Sequence, residues 1–376
     1  MQAVFWICLV AIAYPYAIYP LLLVLVNRIT GRRAPRPDPA CQPTVSIILP
    51  VHNEAKRIPE KIANLLALDY PADKMQILVI GDGCTDDSLE RARDAGHGRV
   101  EVLPLAERAG KAHALNAGLT HARHEILVFT DAAIMLEPGS LAALVAHFAA
   151  PEVGCVSGED HVEGGGNEGL YGRLELLMRR EEARLHSIAG ASGCFYAERR
   201  SICKPFVAGM APDFLSVLQV VRAGYRASCE PLARGSMTAT PNQRAEFTRK
   251  ARTFLRGLTA LFGNAALLNP FAYPGYSFIL WSHKLARWLG PVAMAGCLAS
   301  ALALAAKPLY AWLVGAQLAV YALAIAGLLS PGFAARSVLV RIPAFFLLVN
   351  LAAAKALALW IGGVRQEVWE PTRRPA

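Results

Sequence analysis

Charged residues are scarce in this sequence, and their scarcity excludes a fully soluble protein. Asp, Glu, Lys and Arg make up 18% of the 376 residues, whereas hydrophobic residues make up 54% and the mean hydropathy is +0.34. Soluble domains usually carry about a quarter of charged residues. We therefore expect part of the chain to lie in a membrane, and the length allows roughly two domains.

The eight cysteines form no pattern typical of a metal site or a disulfide framework. The sequence contains no C-x-x-C pair and no Cys/His spacing of the kind that binds zinc. Two of the cysteines lie in apolar stretches. We expect these residues to be mostly reduced and structural. No internal repeat or low-complexity segment appears in the sequence.

Acidic residues are outnumbered by basic ones, 29 against 38, which gives a net charge of +9. Such a surplus suits nucleic acid, anionic lipid headgroups or a phosphorylated substrate. A nucleic-acid protein would spread its charge along an aromatic-bearing groove, whereas much of the charge here flanks apolar segments. We therefore expect a lipid bilayer and a phosphorylated substrate as partners, and no nucleic acid.

The first apolar segment, residues 4–26, contains no charged residue and is long enough to cross about 30 Å of hydrocarbon as a helix. Four arginines follow it at once, and nothing basic precedes it: Arg28, Arg32, Arg33 and Arg36. The positive-inside rule predicts an N-terminus outside and a cytoplasmic domain after the segment. A cleaved signal peptide is the alternative, which the uncharged start disfavours. Residues 1–27 are thus a predicted membrane anchor and 28–43 a linker.

A second membrane region is predicted at residues 286–364. Its first two apolar runs, 288–306 and 309–329, are separated only by Lys307 and Pro308. This pattern predicts a tight hairpin across the membrane that returns the chain to the cytoplasm.

The last apolar run, residues 343–363, is interrupted by Asn350 and Lys355. A spanning, a re-entrant and an interfacial position all stay open for it. Spanning would place three arginines outside, against the positive-inside rule: Arg365, Arg373 and Arg374. We therefore expect a cytoplasmic C-terminal tail over residues 365–376.

Residues 44–240 alternate strand-like and helical runs, the pattern of βαβ units in a mostly parallel sheet. The predicted strands are 45–49, 76–80, 100–103 and 125–130, and the predicted helices are 59–68, 86–95, 111–122 and 140–149. Three of the strands run into polar residues, namely Asn53 with Glu54, Asp82, and Asp131. Because ligands of open α/β sheets bind at the carboxyl ends of the strands, we expect a site there.

Several motifs occur here in the order and spacing of one enzyme family. They are Pro50-Val-His-Asn-Glu54, Gly81-Asp-Gly-Cys-Thr-Asp-Asp87, Gly110-Lys111 with Asn116-Ala-Gly118, the strand-end Asp131, and Ala211-Pro-Asp-Phe214 with the basic stretch after it. As an ordered set over residues 44–256 they resemble the family 2 glycosyltransferases, inverting enzymes with a GT-A nucleotide-sugar fold. The resemblance implies a GT-A domain with a mixed, mostly parallel sheet over 44–240, flanked by N- and C-terminal transmembrane helices.

The resemblance also implies a nucleoside pocket lined by Asn53, Glu54 and Asp82, where carboxylates accept hydrogen bonds from ribose hydroxyls and a uracil N–H. Strand-end capping is the alternative role of these residues. Lys111 is expected to reach a donor phosphate as a point charge, and its alternative is an ordinary exposed helix lysine. The predicted donor is a nucleotide-sugar, and we expect a UDP-sugar.

Asp131 corresponds to the first aspartate of the family's D-x-D motif, which binds a divalent cation that bridges the donor diphosphate. Hard oxygen ligands suit Mg²⁺ or Mn²⁺. The sequence departs from the motif at its third position, where Ala133 offers no ligand. We expect the cation nevertheless, because a Mg²⁺ site needs only one or two carboxylates beside water and phosphate.

Asp213 matches the aspartate of the family's E-D or D-D motif, which implies that it is the general base for the acceptor hydroxyl. An ionised carboxylate takes the proton as the hydroxyl attacks, and one displacement inverts the sugar. Pro212 stands where the motif has another acid. An N-cap of the helix that starts here is the alternative role of Asp213, and the two roles are compatible.

The basic stretch at residues 241–285 predicts amphipathic interfacial helices, with Arg249 and Arg252 at lipid headgroups or at the substrate diphosphate. Solvated surface charge is the alternative. Processive polysaccharide synthases of the family carry Q-x-x-R-W at this point, whereas residues 243–247 read Gln-Arg-Ala-Glu-Phe. The missing arginine and tryptophan are evidence against a polymerising synthase.

Together these observations favour a membrane-bound inverting glycosyltransferase that moves one sugar to a lipid-linked or cell-envelope saccharide acceptor. We expect a multi-pass protein of the bacterial inner membrane, with a cytoplasmic catalytic domain and envelope-biosynthesis partners. The alternatives are a processive exopolysaccharide synthase and a non-catalytic subunit that binds the nucleotide-sugar. Asp213 is evidence against the non-catalytic subunit, because a protein that only binds the nucleotide-sugar needs no base. A transporter would need more spans and polar residues at the bilayer midplane.

Overall fold

A computed structural model describes residues 1–163, 166–238 and 243–366. The predicted boundary at residues 240 and 241 lies outside the described residues, and so do Arg373 and Arg374. Within the described ranges, eight strands form one sheet. They are β1 (Val45–Val51), β2 (Met75–Asp82), β3 (Glu101–Leu105), β4 (Ile126–Thr130), β5 (Met135–Leu136), β6 (Val153–Glu163), β7 (Phe195–Arg199) and β8 (Arg226–Thr238).

The strand order is β3-β2-β1-β4-β7-β6-β8-β5. β3, β2, β1 and β4 are parallel neighbours, β7 is antiparallel to β4 and β6, and β6 is parallel to β8. The predicted mixed, mostly parallel sheet is confirmed. The chain passes from β1 outward to β2 and β3 and then returns to β4 on the other side of β1. The carboxyl ends of β1 and β4 therefore frame a crevice where the strand order reverses.

The helices surround this sheet and extend beyond it at both ends of the chain. They are α1 (Gln2–Ala13), α2 (Tyr19–Thr30), α3 (Ile58–Leu66), α4 (Ser88–Gly96), α5 (Lys111–His121), α6 (Ser140–Val145), α7 (Gly166–Leu185), α8 (Pro212–Arg222), α9 (Gln243–Gly263), α10 (Pro274–Ile279), α11 (Ala286–Trp288), α12 (Gly290–Ala303), α13 (Pro308–Leu329), α14 (Pro331–Arg336) and α15 (Val338–Ile361). The π-helical turns Tyr14–Ile18 and Leu280–Leu285 join α1 to α2 and α10 to α11.

Apolar side chains cover both faces of the sheet, because alternate residues of a strand point to opposite faces. One face carries Ile48 and Phe129 and packs against α5, α8 and α9. The other face carries Ile47 and Val128 and packs against α3, α4 and α6. Burial on both faces explains why the strands read as continuous apolar runs rather than as alternating ones.

Three helices of the described residues are long and apolar enough to cross a membrane: Gln2–Thr30, Pro308–Leu329 and Val338–Ile361. A further candidate is the pair Pro274–Trp288 and Gly290–Ala303, which is bent by 59°. The apolar run expected to begin at Trp288 is therefore divided. Trp288 packs edge-on against Phe214 at a centroid distance of 6.2 Å, which ties the first half of the bent pair to the sheet domain.

Candidate active site

Lys111 and Asp131 form an ion pair at the carboxyl edge of the parallel strands. Asp131 directly follows β4, and Lys111 is the first residue of α5. The Lys111 Nζ donates to Asp131 Oδ1 at 2.6 Å and to the Gly193 carbonyl at 3.1 Å. Burial pushes the pKa of Lys111 down, but the Asp131 carboxylate and its neighbours outweigh burial, so the pKa is raised. The ammonium therefore stays charged at neutral pH.

Asp213 lies close to the same short segment. It lies in the first turn of α8, where the helix dipole favours a negative charge. A Cβ atom at Gly193 would lie 3.9 Å from Asp213 Cγ and Oδ2. Since the Gly193 carbonyl accepts from Lys111, the structure brings Lys111, Asp131 and Asp213 together around Gly193.

Asp82 is placed behind this group rather than in the open crevice. It is 2% exposed, and its two carboxylate oxygens accept the backbone N–H groups of Ala109 and Gly110 at 2.9 and 2.8 Å. Gly83, the next residue, has φ +58°. A Cβ atom at this position would lie 2.5 Å from the backbone nitrogen of Arg108. This turn thus fixes the loop that leads into α5, and the nucleoside role of Asp82 stays a prediction.

Asn53 and Glu54 are brought to the turn that follows β2. Asn53 has φ +54°, its Oδ1 accepts the Thr85 N–H at 2.9 Å, and its side chain is exposed. The Glu54 N–H donates to Ser88 Oγ at 2.8 Å, and Arg57 donates to Glu54 Oε2 at 3.2 Å. Burial raises the pKa of Glu54, and Arg57 opposes the rise. The nucleoside role of both residues stays a prediction.

The basic residues of α9 differ in their burial and in their partners. Arg249 donates to both carboxylate oxygens of Glu246 on its own helix, at 2.7 and 2.9 Å. Arg256, one turn after Arg252, is buried, and its Nη2 donates to the Met210 carbonyl at 2.8 Å. Burial lowers the pKa of Arg256, and the Asp213 charge opposes that effect. Arg256 therefore lies close enough to Asp213 for the two charges to interact, while the phosphate roles of Arg249 and Arg252 stay predictions.

Lys61 is a site residue that the motifs do not reveal. It is fully buried in α3, and its Nζ donates at 2.6 Å to the carbonyl of Ile134, which ends the loop that begins at Asp131. Burial lowers its pKa to about 7. A signal exists in the sequence, because Lys61 falls on the apolar stripe of Ile58, Ile62 and Leu65.

Asp160 of β6 is a second residue missed by sequence reasoning. Ser192 Oγ donates to Asp160 Oδ1 at 2.5 Å, next to the Gly193 segment. Burial raises the pKa of Asp160, and the carboxylates of Asp131 and Asp213 raise it further. Asp160 stands between Glu159 and His161 in the sequence, and this polar run does not single it out.

The side chains of this site fit a divalent cation only if a bound substrate supplies some of the metal ligands. Within the described ranges, no three His, Cys, Asp or Glu side chains converge as a metal site. Asp131 supplies one hard carboxylate, and Ala133 supplies nothing. A single carboxylate is enough for Mg²⁺ when phosphate oxygens and waters complete the shell. Asp131 with a bound diphosphate therefore fits such a cation, whereas a metal site made of protein ligands alone does not fit.

Comparison with known proteins finds a family match within the sheet domain. Residues 46–205 match the model of Glycosyl transferase family 2. The poly-beta-1,6-N-acetyl-D-glucosamine synthases of Staphylococcus epidermidis and of Staphylococcus aureus strain COL are each 24% identical, over 170 and 203 residues. The matches cover 43% and 50% of this chain and 40% and 48% of those proteins, so the chain spans about half the length of these curated relatives or less.

One solved structure resembles the whole chain. It is a mannosyltransferase from Pyrobaculum calidifontis in complex with GDP-Man and Mn²⁺, 25% identical, with a TM-score of 0.77. The likeness covers 96% of this chain and 98% of that protein. It therefore takes in the apolar helices as well as the sheet, and it confirms the GT-A fold.

Proposed function

We propose that this chain, which carries a family 2 glycosyltransferase domain, transfers one sugar from a nucleotide-sugar to a lipid-linked or cell-envelope saccharide acceptor. The observation that carries the proposal is the meeting of Lys111, Asp131 and Asp213 around Gly193. An ammonium held by a carboxylate suits a diphosphate leaving group, and a second carboxylate close by suits a base.

In the proposed reaction Asp213 accepts the proton of the acceptor hydroxyl while the hydroxyl oxygen attacks the anomeric carbon. The bond from that carbon to the diphosphate breaks on the opposite face, which inverts the sugar. Lys111 neutralises charge that develops on the departing diphosphate. Asp131 orients Lys111 and would hold Mg²⁺ or Mn²⁺, which supplies further neutralisation of the diphosphate when bound.

The donor is a nucleoside diphosphate sugar, and we favour a UDP-sugar. Glu54 and Asn53 at the edge of the crevice offer acceptors and donors for a base and ribose. GDP-mannose is the second candidate, because the mannosyltransferase described with GDP-Man matches the whole chain. Polymer synthesis is the second candidate activity, because the curated relatives are synthases of a polysaccharide.

The catalytic domain faces the cytoplasm of a multi-pass membrane protein, in a bacterial inner membrane, where envelope-biosynthesis proteins are its partners. The direction of α13 supports this topology. Tyr310 near its start packs against Phe5 at a ring-centroid distance of 5.4 Å, on the side where the chain begins. At its other end, a Cβ at Gly327 would lie 2.8 Å from Val340 at the start of α15. α15 therefore begins on the cytoplasmic side.

α15 also ends on that side, so it lies in the interface rather than across the bilayer. Trp360 near its end packs against Phe262 of α9 at a centroid distance of 4.6 Å. Arg365 just beyond it lies beside Gly209, in the loop that precedes α8. Both contacts are with the sheet domain and its interfacial helix, which supports a cytoplasmic C-terminal tail.

The experiment compares purified protein in lipid vesicles with UDP-, GDP- and dTDP-sugars, with Mg²⁺, Mn²⁺ or EDTA. We expect one donor to be hydrolysed or transferred, and Asp213→Asn to lower turnover by at least about 10²-fold because the base is lost. Asp73→Asn, an exposed aspartate far from Gly193 in the sequence, is the matched control and keeps full activity. Binding of a donor without turnover under any condition would favour the non-catalytic alternative.

A further inference from the structure

Phe214, the residue after Asp213, is contacted by two side chains of the bent helix pair. It is 5% exposed. The Lys284 Nζ lies over the Phe214 ring, 5.4 Å from its centre, and the Trp288 ring meets it edge-on at a centroid distance of 6.2 Å. Lys284 and Trp288 are four residues apart, the spacing of neighbours on one helix face. Both contacts are attractive, so the bent pair holds the ring of Phe214 in place.

Lys284 belongs to the π-helical turn Leu280–Leu285, a type of turn that is frequent at functional sites. The preceding residue, His283, faces α7. Its Nδ1 and Nε2 lie 2.6 and 3.0 Å from carboxylate oxygens of Glu182 and Glu175. Two successive side chains of the turn therefore contact two different helices of the catalytic domain, His283 on α7 and Lys284 on α8.

The segment of residues 190–193 lies against both Phe214 and Asp213. A Cβ atom at Gly190 would lie 3.5 Å from Phe214 Cδ2, and a Cβ atom at Gly193 would lie 3.9 Å from Asp213 Cγ. Phe214 is thus next to one end of the segment, and Asp213 is next to the other end, where the candidate active site lies. Because Asp213 and Phe214 are adjacent in the first turn of α8, a shift of the Phe214 ring would move Asp213 relative to Gly193.

Trp288 also packs against α9, which itself contacts the loop before α8. A Cβ atom at Gly257 would lie 2.9 Å from Trp288 Cζ2, so only glycine leaves room for the indole there. Arg256, the residue before this glycine, donates to the Met210 carbonyl at 2.8 Å. The start of α8 is therefore contacted both by the bent pair, through Phe214, and by α9.

We propose that Lys284 and Trp288 are positioning residues that hold the Asp213 carboxylate at Gly193, and this inference rests on the proposed transferase function. They act through Phe214, whose ring they fix. A base must lie within hydrogen-bond reach of the proton that it takes, so a small displacement of its carboxylate slows the reaction. The bent helix pair is therefore part of the support of the active site and not only a means of attachment to the membrane.

Steady-state turnover of the donor by purified protein in lipid vesicles tests this role. Lys284→Met keeps the length of the side chain and removes its charge. We expect it to lower kcat about tenfold and to leave KM for the nucleotide-sugar nearly unchanged, because the proposed donor contacts lie in the sheet domain. Lys284→Arg keeps a cation for the ring and should recover most of kcat. Lys307→Met, at an exposed lysine of the α12–α13 hairpin, is the matched control and keeps full turnover.

The double variant of Lys284→Met with Asp213→Asn separates positioning from a merely structural role. If Lys284 acts through Asp213, the double variant turns over the donor at the rate of Asp213→Asn alone. Losses that multiply in the double variant contradict the proposal. A raised KM with unchanged kcat in Lys284→Met, or an equal loss of kcat in Lys284→Arg, contradicts it as well.

Hydrogen exchange of the same samples detects the contact without turnover, which separates this inference from the proposed function. We expect peptides from the first turn of α8 to exchange faster in Lys284→Met and in Trp288→Leu than in wild type. Peptides of β1 should be unchanged, which shows that the sheet stays folded. This result supports the positioning contact even if no donor turns over, an outcome that counts against the proposed function alone. Unchanged exchange at α8 in both variants, or an equal rise in Trp312→Leu, at an exposed tryptophan of α13, overturns the inference.

Discussion

Lys111 illustrates how one ammonium can serve both structure and chemistry at the residue scale. Its contacts with Asp131 and Gly193 hold two elements together, since Asp131 follows β4 and Gly193 precedes β7. If Lys111 carried no charge, the Asp131 carboxylate would have no ammonium at Oδ1 to offset its repulsion by Asp160 and Asp213. The same charge is what a diphosphate leaving group requires.

Replacing Lys111 with methionine therefore tests the leaving-group role. We expect Lys111→Met to lower kcat/KM for the nucleotide-sugar by about 10²-fold, the usual cost of losing one positioned donor. Lys56→Met, at an exposed lysine of the β1–α3 loop, is the matched control. The readout is steady-state turnover with the donor found above. Unchanged kcat/KM in Lys111→Met would remove Lys111 from the reaction.

Lys61 makes a different prediction, about stability and pH. Its pKa is about 7 in the folded protein and 10.5 in an unfolded chain, so unfolding takes up a proton between these values. Stability therefore rises as pH increases from 7 to 10.5 and is lowest below 7. We expect Lys61→Met to unfold at a higher temperature than wild type below pH 7 and to lose this advantage at alkaline pH.

Thermal unfolding of both proteins in detergent across this pH range is the measurement, with Lys56→Met as the control. The variant lacks the donor to the Ile134 carbonyl at every pH, which costs about 1–3 kcal/mol if that oxygen is left without a partner. At alkaline pH the wild-type lysine no longer gives up a proton on folding, so nothing offsets this cost there. A difference in unfolding temperature that does not change with pH would mean that Lys61 keeps its ordinary pKa in the folded protein.

At the scale of elements, α15 shows why apolar length alone does not decide topology. It has 24 residues, enough to cross a bilayer, yet its start contacts the end of α13 and its end contacts α9. Under the proposed topology both contacts lie on the cytoplasmic side, which is the position expected of a helix that lies along the interface. Asn350 and Lys355 then need not be buried in hydrocarbon, where a charge is costly.

Reporter fusions test this position of α15. We expect a reporter that is active only in the cytoplasm to be active after Gln366 and after Arg336, and inactive after Lys307. A reporter active only outside the cytoplasm gives the reverse pattern. The fusion after Lys307 is the control, because the tip of the α12–α13 hairpin lies on the far side in either topology. Opposite activities after Arg336 and Gln366 would mean that α15 crosses the bilayer.

At the scale of the whole molecule, the N-terminal helix is part of the fold and not only a tether. Tyr19 Oη donates to Glu182 Oε1 at 2.7 Å, and His283 Nδ1 lies 2.6 Å from the same oxygen. The other oxygen, Oε2, accepts the Ala189 N–H at 2.9 Å. One buried carboxylate of α7 thus joins the anchor, the bent pair of helices and the segment that leads to Gly193.

Removing the Tyr19 hydroxyl should therefore destabilise the catalytic domain. We expect Tyr19→Phe to lower the free energy of unfolding by about 1–3 kcal/mol, because the buried carboxylate of Glu182 loses one of its hydrogen-bond donors. Tyr321→Phe, at a partly exposed tyrosine of α13, is the matched control and changes stability little. Thermal unfolding followed by fluorescence in detergent measures both variants. Equal effects of the two substitutions would contradict a structural role for the anchor.

The sequence by itself determined the class of the fold and the positions of the motifs. The strands at 45–49, 76–80 and 125–130 were predictable because burial on both faces requires continuous apolar runs, whereas the strand at 100–103 lies at the edge of the sheet and is only half-buried. The polar residues at their ends were predictable as a site because parallel strands present their carboxyl ends at one edge. The ordered motifs then indicated the glycosyltransferase family, which the comparisons support.

Only the tertiary structure decided which polar groups meet and which are already engaged. Lys61, Asp160 and Arg256 come from α3, β6 and α9, and their proximity depends on packing across the sheet, which has no local signal in the sequence. Asp82 carries the expected motif, yet its carboxylate is occupied by two backbone N–H groups. Local periodicity fixes elements, because it reflects burial along one segment. Distances between side chains from distant segments arise only when those segments pack together.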